Sequence, residues 1–468
     1  MGKRGACFFL ALCVMAGGVV YAQDFGFGFG DDDTAGDVGT AGRSLSVSVG
    51  GEVSASFVGY IDDFKEGLDD TRLGDIFSGK LNFSASTSFA EGVINLKLSP
   101  AVSPSGIFPD SPVNIDEGYV RAFFGNFDIT AGLRKLTWGK ADSFGPLDVI
   151  NPLDYSAVFT EMADNISLMG IRIARPLVHA SFRFGQFSKI EGVFIPWFKP
   201  HYIPEDGKWA PAQMEMLESV RGILKEPDTT TIRYAQMGLR FTTTFGPADF
   251  GAQYYYGRLP EPSVKLTLNP GFLPLADLLY NRYHQIGLDY AQVLFGFNLR
   301  AEFAANITDD LAGDDGAVYN PSIAWSFGFD RDLVWGINLN LQVNESIRLL
   351  HDKLGSGAMM GDMTGLMTAF MTGTLDTSTL DIEGDSRLTS SRLTVALSKK
   401  FLRDELEVRT AVAWGIEDSD AAIMPAIIWT KDDIRFALSG GFFVGESDGQ
   451  IGQFKDNHFL KISMTYTF

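Results

Sequence analysis

From residue 45 to the last residue, Phe468, apolar side chains return at every second position in runs of roughly ten residues. Leu45, Val47, Val49, Val53, Ala55 and Phe57 form one such set. Phe295, Phe297, Leu299, Ala301 and Phe303 form another, and Trp335, Ile337, Leu339, Leu341 and Val343 a third. The residues between them are polar, as in Asn338, Asn340, Gln342 and Asn344. Period two places apolar and polar side chains on opposite faces of a strand, and about ten tilted residues cross a bilayer. No stretch after residue 22 holds 18 consecutive apolar residues, so a membrane helix is excluded and the strands carry the fold.

A soluble sandwich alternates as well, so connection lengths have to separate the two. Asp62–Ser78, Pro100–Asn114, Lys199–Thr231, Leu259–Arg282 and Glu345–Ser386 are long, whereas Ala90–Gly92, Gly125–Asn126, Gly246–Pro247 and Asp330–Asp332 are short. Long outer loops alternating with short periplasmic turns mark outer-membrane barrels. The chain ends on an alternating strand with Tyr466 and a terminal Phe468. This resembles the insertion signal read by the outer-membrane assembly machinery, which makes that machinery and outer-membrane lipid the expected partners. The expected fold is all-β: an antiparallel transmembrane β-barrel of the outer-membrane type. It has about 18 strands, with roughly 14 or 16 as rivals, and long external loops carrying short helices.

Residues 1–22 read as a cleavable signal peptide, with Lys3 and Arg4 before an apolar core and Ala22 before Gln23. Cys7 and Cys13 both lie inside it, and Leu12 is too bulky to precede a lipidated cysteine. Losing Lys3 and Arg4 removes two positive charges from the formal −20, leaving −22. So acidic a chain is not a nucleic-acid binder, which needs a basic surface. Residues 23–43 are a Gly/Asp-rich leader, read as a flexible tether with docking into the lumen as the rival, and residues 44–468 are the barrel. The expected location is the bacterial cell outer membrane.

Residues 117–156 depart from plain wall. A hairpin turning at Gly125-Asn126 leads to Trp138-Gly139-Lys140-Ala141-Asp142 and then Asp148-Val149-Ile150-Asn151-Pro152-Leu153-Asp154. A second hairpin, 177–198, follows. This segment resembles a family of large bacterial outer-membrane proteins of unknown function, grouped with porin-like barrels. The family carries W-G-E-x-D and then D-V-[IL]-N-P-x-D after a hairpin, so Lys140 stands where it has an acid. The resemblance implies a channel-like or lipid-handling role. As a long loop rich in turn formers, the segment either folds into the lumen as a constriction, setting Lys140 against Asp142, Asp148 and Asp154 beside Trp138 and Asn151, or seals the mouth.

Parity directs Lys80, Lys97, Arg121, Arg134, Arg240, Arg300, Arg392, Arg409, Arg435 and Lys461 inward. They outnumber the inward acids Glu117, Asp128, Asp289, Glu302, Glu405 and Glu407. Such a lining favours anions, unless these charges pair and brace the wall. Residues 210–226 and the Met-rich stretch 358–371 have helical spacing. The histidines His179, His201, His284, His351 and His458 are scattered, with no triad or metal spacing, so neither catalysis nor a cofactor is expected. The functional expectation is a porin-like channel for small solutes. The rivals are a transporter of hydrophobic molecules with a plugged lumen, which makes the cargo lipophilic, and a surface adhesin.

Overall fold

The alternating runs become strands, and the strands close on themselves. The computed structural model describes residues 45–61, 77–99, 102–103, 106–107, 113–164, 168–212, 214, 224–268, 274–313, 315, 317–350 and 388–468. The signal peptide, the leader, the Met-rich stretch 358–371 and most of 210–226 lie outside the described residues. Eighteen strands form one sheet. They are β1 (Ser46–Tyr60), β2 (Phe77–Ser86), β3 (Ala90–Leu98), β4 (Val113–Phe124), β5 (Phe127–Arg134), β6 (Arg175–Phe184), β7 (Ser188–Ile195), β8 (Gln236–Phe245) and β9 (Ala248–Arg258). Then follow β10 (Arg282–Leu294), β11 (Phe297–Thr308), β12 (Ser322–Asp332), β13 (Ile337–Arg348), β14 (Thr389–Phe401), β15 (Leu406–Gly415), β16 (Asp420–Lys431), β17 (Ile434–Val444) and β18 (Phe459–Thr467).

Each strand pairs antiparallel with its neighbours in sequence, and β1 pairs with both β2 and β18. That last pairing runs from Glu52 opposite Thr467 to Tyr60 opposite Phe459 and closes the barrel. The fold is a closed antiparallel barrel of the outer-membrane type.

The outward face is apolar along every strand. Val47, Val53, Ile94, Leu239, Ile286, Leu288, Ile427, Leu438, Leu460 and Ile462 are all exposed there. A soluble protein does not leave so continuous an apolar surface in water, whereas a bilayer solvates it. Exposed aromatics gather beside the short turns: Phe124 and Phe127, Phe184 and Phe187, Phe245, Phe295, Trp335 and Tyr466. Tyr254, Trp414 and Phe57 mark the opposite end. Two such girdles flank the apolar band of an outer-membrane barrel.

One irregularity repairs a parity conflict. In β4 the outward residues begin odd, at Val113 and Ile115, and finish even, at Val120 and Phe124. The register shifts at this point, with Asn95 opposite Glu117 but Leu96 opposite Ile115, so Asp116 is the extra residue of a bulge. Without it, one half of the strand would turn its apolar side chains into the lumen.

Short turns 125–126, 246–247, 295–296 and 432–433 lie at one end, with the C-terminus, and the long connections 135–174, 196–235 and 259–281 at the other. Inside the last two, Leu224–Lys225, Ser263–Leu268 and Pro274–Leu279 form a small separate sheet. Leu224, placed in a helix by its spacing, is therefore in a strand. Its backbone pairs with Ala276, and that ladder outweighs a local helical preference.

The lipid-facing assignment has a direct consequence. Replacing Leu288, midway along β10, by Arg is expected to cost about 2–4 kcal/mol of folding stability in vesicles. Asn82→Arg, on the lumen side of β2, is expected to change it little. Denaturant unfolding of the two variants in lipid vesicles separates the faces.

Candidate functional site: a loop that crosses the lumen

Residues 135–174 leave β5, enter the barrel and return to β6. A helix, α1 (Val158–Asp164), lies within them. Such a segment carries its own unpaired backbone groups into the lumen, and each needs a partner there. The wall supplies them.

The first anchorage is on β8 to β13. The Glu302 carboxylate accepts backbone N–H groups from Lys140, from Ala141 at 2.7 Å and from Leu147 at 3.4 Å. Gln342 accepts the N–H groups of Asp142 and Ser143 at 3.0 and 3.1 Å and donates to the Phe144 carbonyl at 3.0 Å. Gln253 and Gln285 donate to the carbonyls of Leu147 and Pro146, each at 3.0 Å. Asp142 pairs with Arg300 and accepts from Asn340 at 2.8 Å, and Arg300 also holds Asp330 at 2.6 Å. Burial pushes the Asp142 carboxyl up, and the Arg300 guanidinium opposes it. Lys140 reaches toward Asp249 at 3.7 Å. Trp138, 2% exposed, packs with Leu136, Ile150, Leu177, Val193, Ile195, Tyr255 and Tyr283. Its ring comes so close to β8 that a Cβ on Gly238 would sit 2.7 Å from it, so only glycine fits there.

The second anchorage is on β15 to β18. The final carbonyls of a helix have no partners within it and carry its negative dipole end. Here Arg409 donates to the Ala163 carbonyl at 3.0 Å and Arg435 to that of Asp164 at 2.6 Å, while Lys461 reaches the Thr160 carbonyl one turn earlier at 3.0 Å. Lys461 also pairs with the Asp164 carboxylate at 2.7 Å, which Ser439 and Ser463 hydrogen-bond as well. Above them Phe159 packs among Trp209, Phe443 and Phe454. Three cations on the wall thus fix the end of α1, whose second residue, Phe159, already packs on the same stretch of wall.

Within the loop, Asn151 closes the base: its Oδ1 accepts from Leu136 at 2.7 Å and its Nδ2 donates to the Ile173 carbonyl at 2.9 Å. Asp148 pairs with Arg172, and burial raises its carboxyl despite that partner. Asp154 shapes the turn into α1 by accepting from Ser156 N–H at 2.9 Å and from its hydroxyl at 2.6 Å. So Lys140 and Asp142 meet the wall, while Asp148, Asn151 and Asp154 serve the loop's own shape.

The ten inward cations fall into four groups. Arg300, Arg409, Arg435 and Lys461 bind the loop. Arg240 pairs with Asp289 at 2.6 Å and Arg121 with Asp128 at 3.2 Å, and both brace the wall. Arg134 lies over the Tyr119 ring and donates to Thr130, and Arg392 donates to Gln450 at 2.7 Å. Lys80, paired with Glu52 at 2.6 Å, and Lys97 remain solvent-exposed on β2 and β3. Glu405, read as an inward acid, sits in the turn before β15. At the seam, Phe468 and Gly51 exchange two backbone hydrogen bonds of 2.9 Å, and its ring stacks with Tyr466.

Three features escaped sequence reasoning. They are the helix at 158–164, the glutamine anchors Gln253, Gln285 and Gln342, and Arg172. The glutamines did carry a signal, as inward polar residues with long amide reach, but nothing local names their partners. His201 is a loop contact: its Nδ1 accepts the Leu153 N–H at 2.8 Å, and burial lowers its pKa to about 4.

No family model and no curated protein matches the chain. Solved structures similar in shape include Wzi, an outer-membrane protein involved in group 1 capsule assembly in Escherichia coli and described as a carbohydrate-binding β-barrel. It is 11% identical, with 89% of this chain and 84% of that chain covered, at a TM-score of 0.44. Pseudomonas aeruginosa OccK9 (8% identical, 91% and 98% covered, TM-score 0.48) and Acinetobacter baumannii OccAB1 (9%, 91% and 96%, 0.48) are others.

Two outcomes follow from these anchors. Glu302→Ala leaves three N–H groups without their acceptor, at about 1–3 kcal/mol each if they stay dry. Proteolysis and amide exchange are expected to rise across 138–147 while the barrel stays folded. The His201 imidazole takes up a proton near pH 6.5 when unfolded and only near pH 4 when folded. Its contribution is therefore full above about pH 6.5 and is lost as the pH falls between those values. The protection factor of the Leu153 amide, taken against its intrinsic exchange rate at each pH, is expected to fall over that window and to stay level in His201→Gln.

Proposed function

We infer that this protein is an outer-membrane channel for small polar solutes, with residues 135–174 as its constriction. The observation that carries the reading is the solvent exposure of lumen-facing polar residues on the wall away from the loop. Lys80 has 49% of its side chain exposed, and Asn82 and Lys97 are exposed beside it. An 18-stranded barrel is wider than side chains alone can fill, so polar groups that stay wet inside it line an aqueous path. The inward apolar residues of β16 and β17, such as Met424, Ala426, Ile428 and Ala437, are by contrast buried, which argues against a greasy track for hydrophobic cargo.

The short turns and the C-terminal Phe468 would face the periplasm and the long loops the exterior. Tyr466 and Phe468 are then placed for recognition by the insertion machinery, at the end of the strand that closes the seam. Residues 1–22 serve as the export signal in this reading. Lys80 and Lys97 give the open side a mildly positive lining, partly offset by Glu52.

Single-channel recording in a planar bilayer under a salt gradient tests this. The refolded barrel is expected to conduct steadily with a preference for anions. Lys80→Glu together with Lys97→Glu is expected to weaken or reverse that preference, and Glu302→Ala to raise the unit conductance. A folded but silent barrel would overturn the channel and point to lipophile binding. Conductance that needs none of these residues, with ligand capture by residues 351–387, would point to an adhesin.

A further inference from the structure

Where the loop meets the wall near the long-loop end, a cavity of about 80 Å³ is lined by Asp148, Arg175, Lys199, Gln236, Arg258 and Tyr283 among others. It has room for several waters or one small oxyanion. Arg175 and Gln236 are among the most buried polar residues of the protein, at 3% and 1% exposure.

The hydrogen bonding of these residues is incomplete in one direction. Both terminal nitrogens of Arg175 are engaged, with the carbonyls of Trp197 and Lys199, and its Nε has no partner among the described residues. Arg258 repeats the pattern: its terminal nitrogens donate to the carbonyls of Tyr280 and Arg233, and its Nε has no partner among the described residues. Gln236 Oε1 accepts from the Tyr255 hydroxyl at 3.0 Å and from Arg258 N–H at 3.2 Å, which leaves its Nε2 as a third unpartnered donor. Among the described lining residues the one unpartnered side-chain acceptor is Asp148 Oδ1, whose charge is already matched by Arg172. Glu261 is more than half exposed and stands beside the cavity, 3.9 Å from His201 and next in the chain to Pro260, both of which line it. Among the described residues Arg175 has no carboxylate partner and Arg258 has Asp309 as its acidic neighbour, while three buried N–H donors of the lining residues lack acceptors. Buried donors without acceptors cost about 1–3 kcal/mol each, and guanidinium groups prefer carboxylate or phosphate oxygens.

We propose that this cavity binds a small oxyanion, the carboxylate or phosphate group of a solute, through Arg175, Gln236 and Arg258. The site rests on the channel reading for its role, since it would capture anionic solutes above the constriction. Its occupancy can be measured without any conductance.

The test is calorimetric titration of the refolded barrel in detergent with sodium acetate and with inorganic phosphate, at constant ionic strength set by chloride. Saturable binding of at least one is expected. Gln236→Glu keeps the acceptor that Tyr255 and Arg258 use but turns the donor into a repelling oxygen, and is expected to weaken binding about tenfold. Asp148→Asn removes the one acid among the described lining residues and is expected to strengthen it. Opposite effects at equal melting temperature cannot come from misfolding. Saturation by acetate alone supports the site and assigns carboxylate-bearing solutes. Saturation by phosphate alone supports it and assigns phosphate-bearing ones. If neither anion saturates, or Gln236→Glu titrates as the parent does, the cavity holds water only and the proposal falls. A barrel that conducts yet binds neither anion overturns the site and leaves the channel, whereas one that binds but is silent does the reverse.

Discussion

Closure of the sheet between β1 and β18 is the constraint on which everything else depends. In a hydrocarbon environment an unpaired backbone group costs several kcal/mol, so no edge can be left facing lipid. The seam from Glu52–Thr467 to Tyr60–Phe459 removes the last two edges, and Phe468 continues it with Gly51. Once closed, the wall has only one degree of choice at each position, inward or outward. That is why a single bulge at Asp116 matters: one extra residue exchanges the two faces for the rest of β4.

Closure also creates the second problem, a lumen too wide for side chains. Residues 135–174 divide it, and their hydrogen bonding follows a consistent division of labour. Neutral and acidic wall residues accept or match the loop's backbone on β8 to β13, where Glu302, Gln253, Gln285 and Gln342 reach in. Cations meet the helix end on β15 to β18. The signs fit the backbone they face, since N–H groups want acceptors and a helix C-terminus wants positive charge. The inward basic excess is therefore mostly structural. What is left for solutes is smaller and more local.

How much of this was legible in the sequence divides along the same line. Strand faces, turn positions and the outward apolar band follow from period two, which is a property of neighbouring residues. Trp138 to Asp154 stood out as a segment unlike wall, and its entry into the lumen was one of two readings its turn formers allowed. The partners of that segment were not legible. Glu302 and Ala141 are 161 residues apart, and Lys461 and Thr160 are 301 apart, so no local pattern joins them. The bulge defeated a fixed parity for the same reason, because register is decided by the partner strand. Helix α1 was missed because its seven residues are too few to set a period, and it is held by wall cations rather than by its own propensity.

Anchorage at two separate stretches of wall bears on how such a loop can behave. A segment tied at one side can swing, and its gating would be set by a few contacts. This one is held at Glu302 and Gln342 and again at Arg409, Arg435 and Lys461, so releasing either end leaves the other in place. Breaking one set of bonds exposes backbone groups to the lumen, where water replaces the lost partners at a modest net cost. The bonds that face water are thus the weak ones. The dry ones, around Trp138 on one side and Phe159 on the other, fix the path of the chain. If the loop is the constriction proposed above, its aperture is set by packing. In the channel reading proposed above, selectivity would then come from the polar groups left along its edges, the donors of Arg175, Gln236 and Arg258 among them.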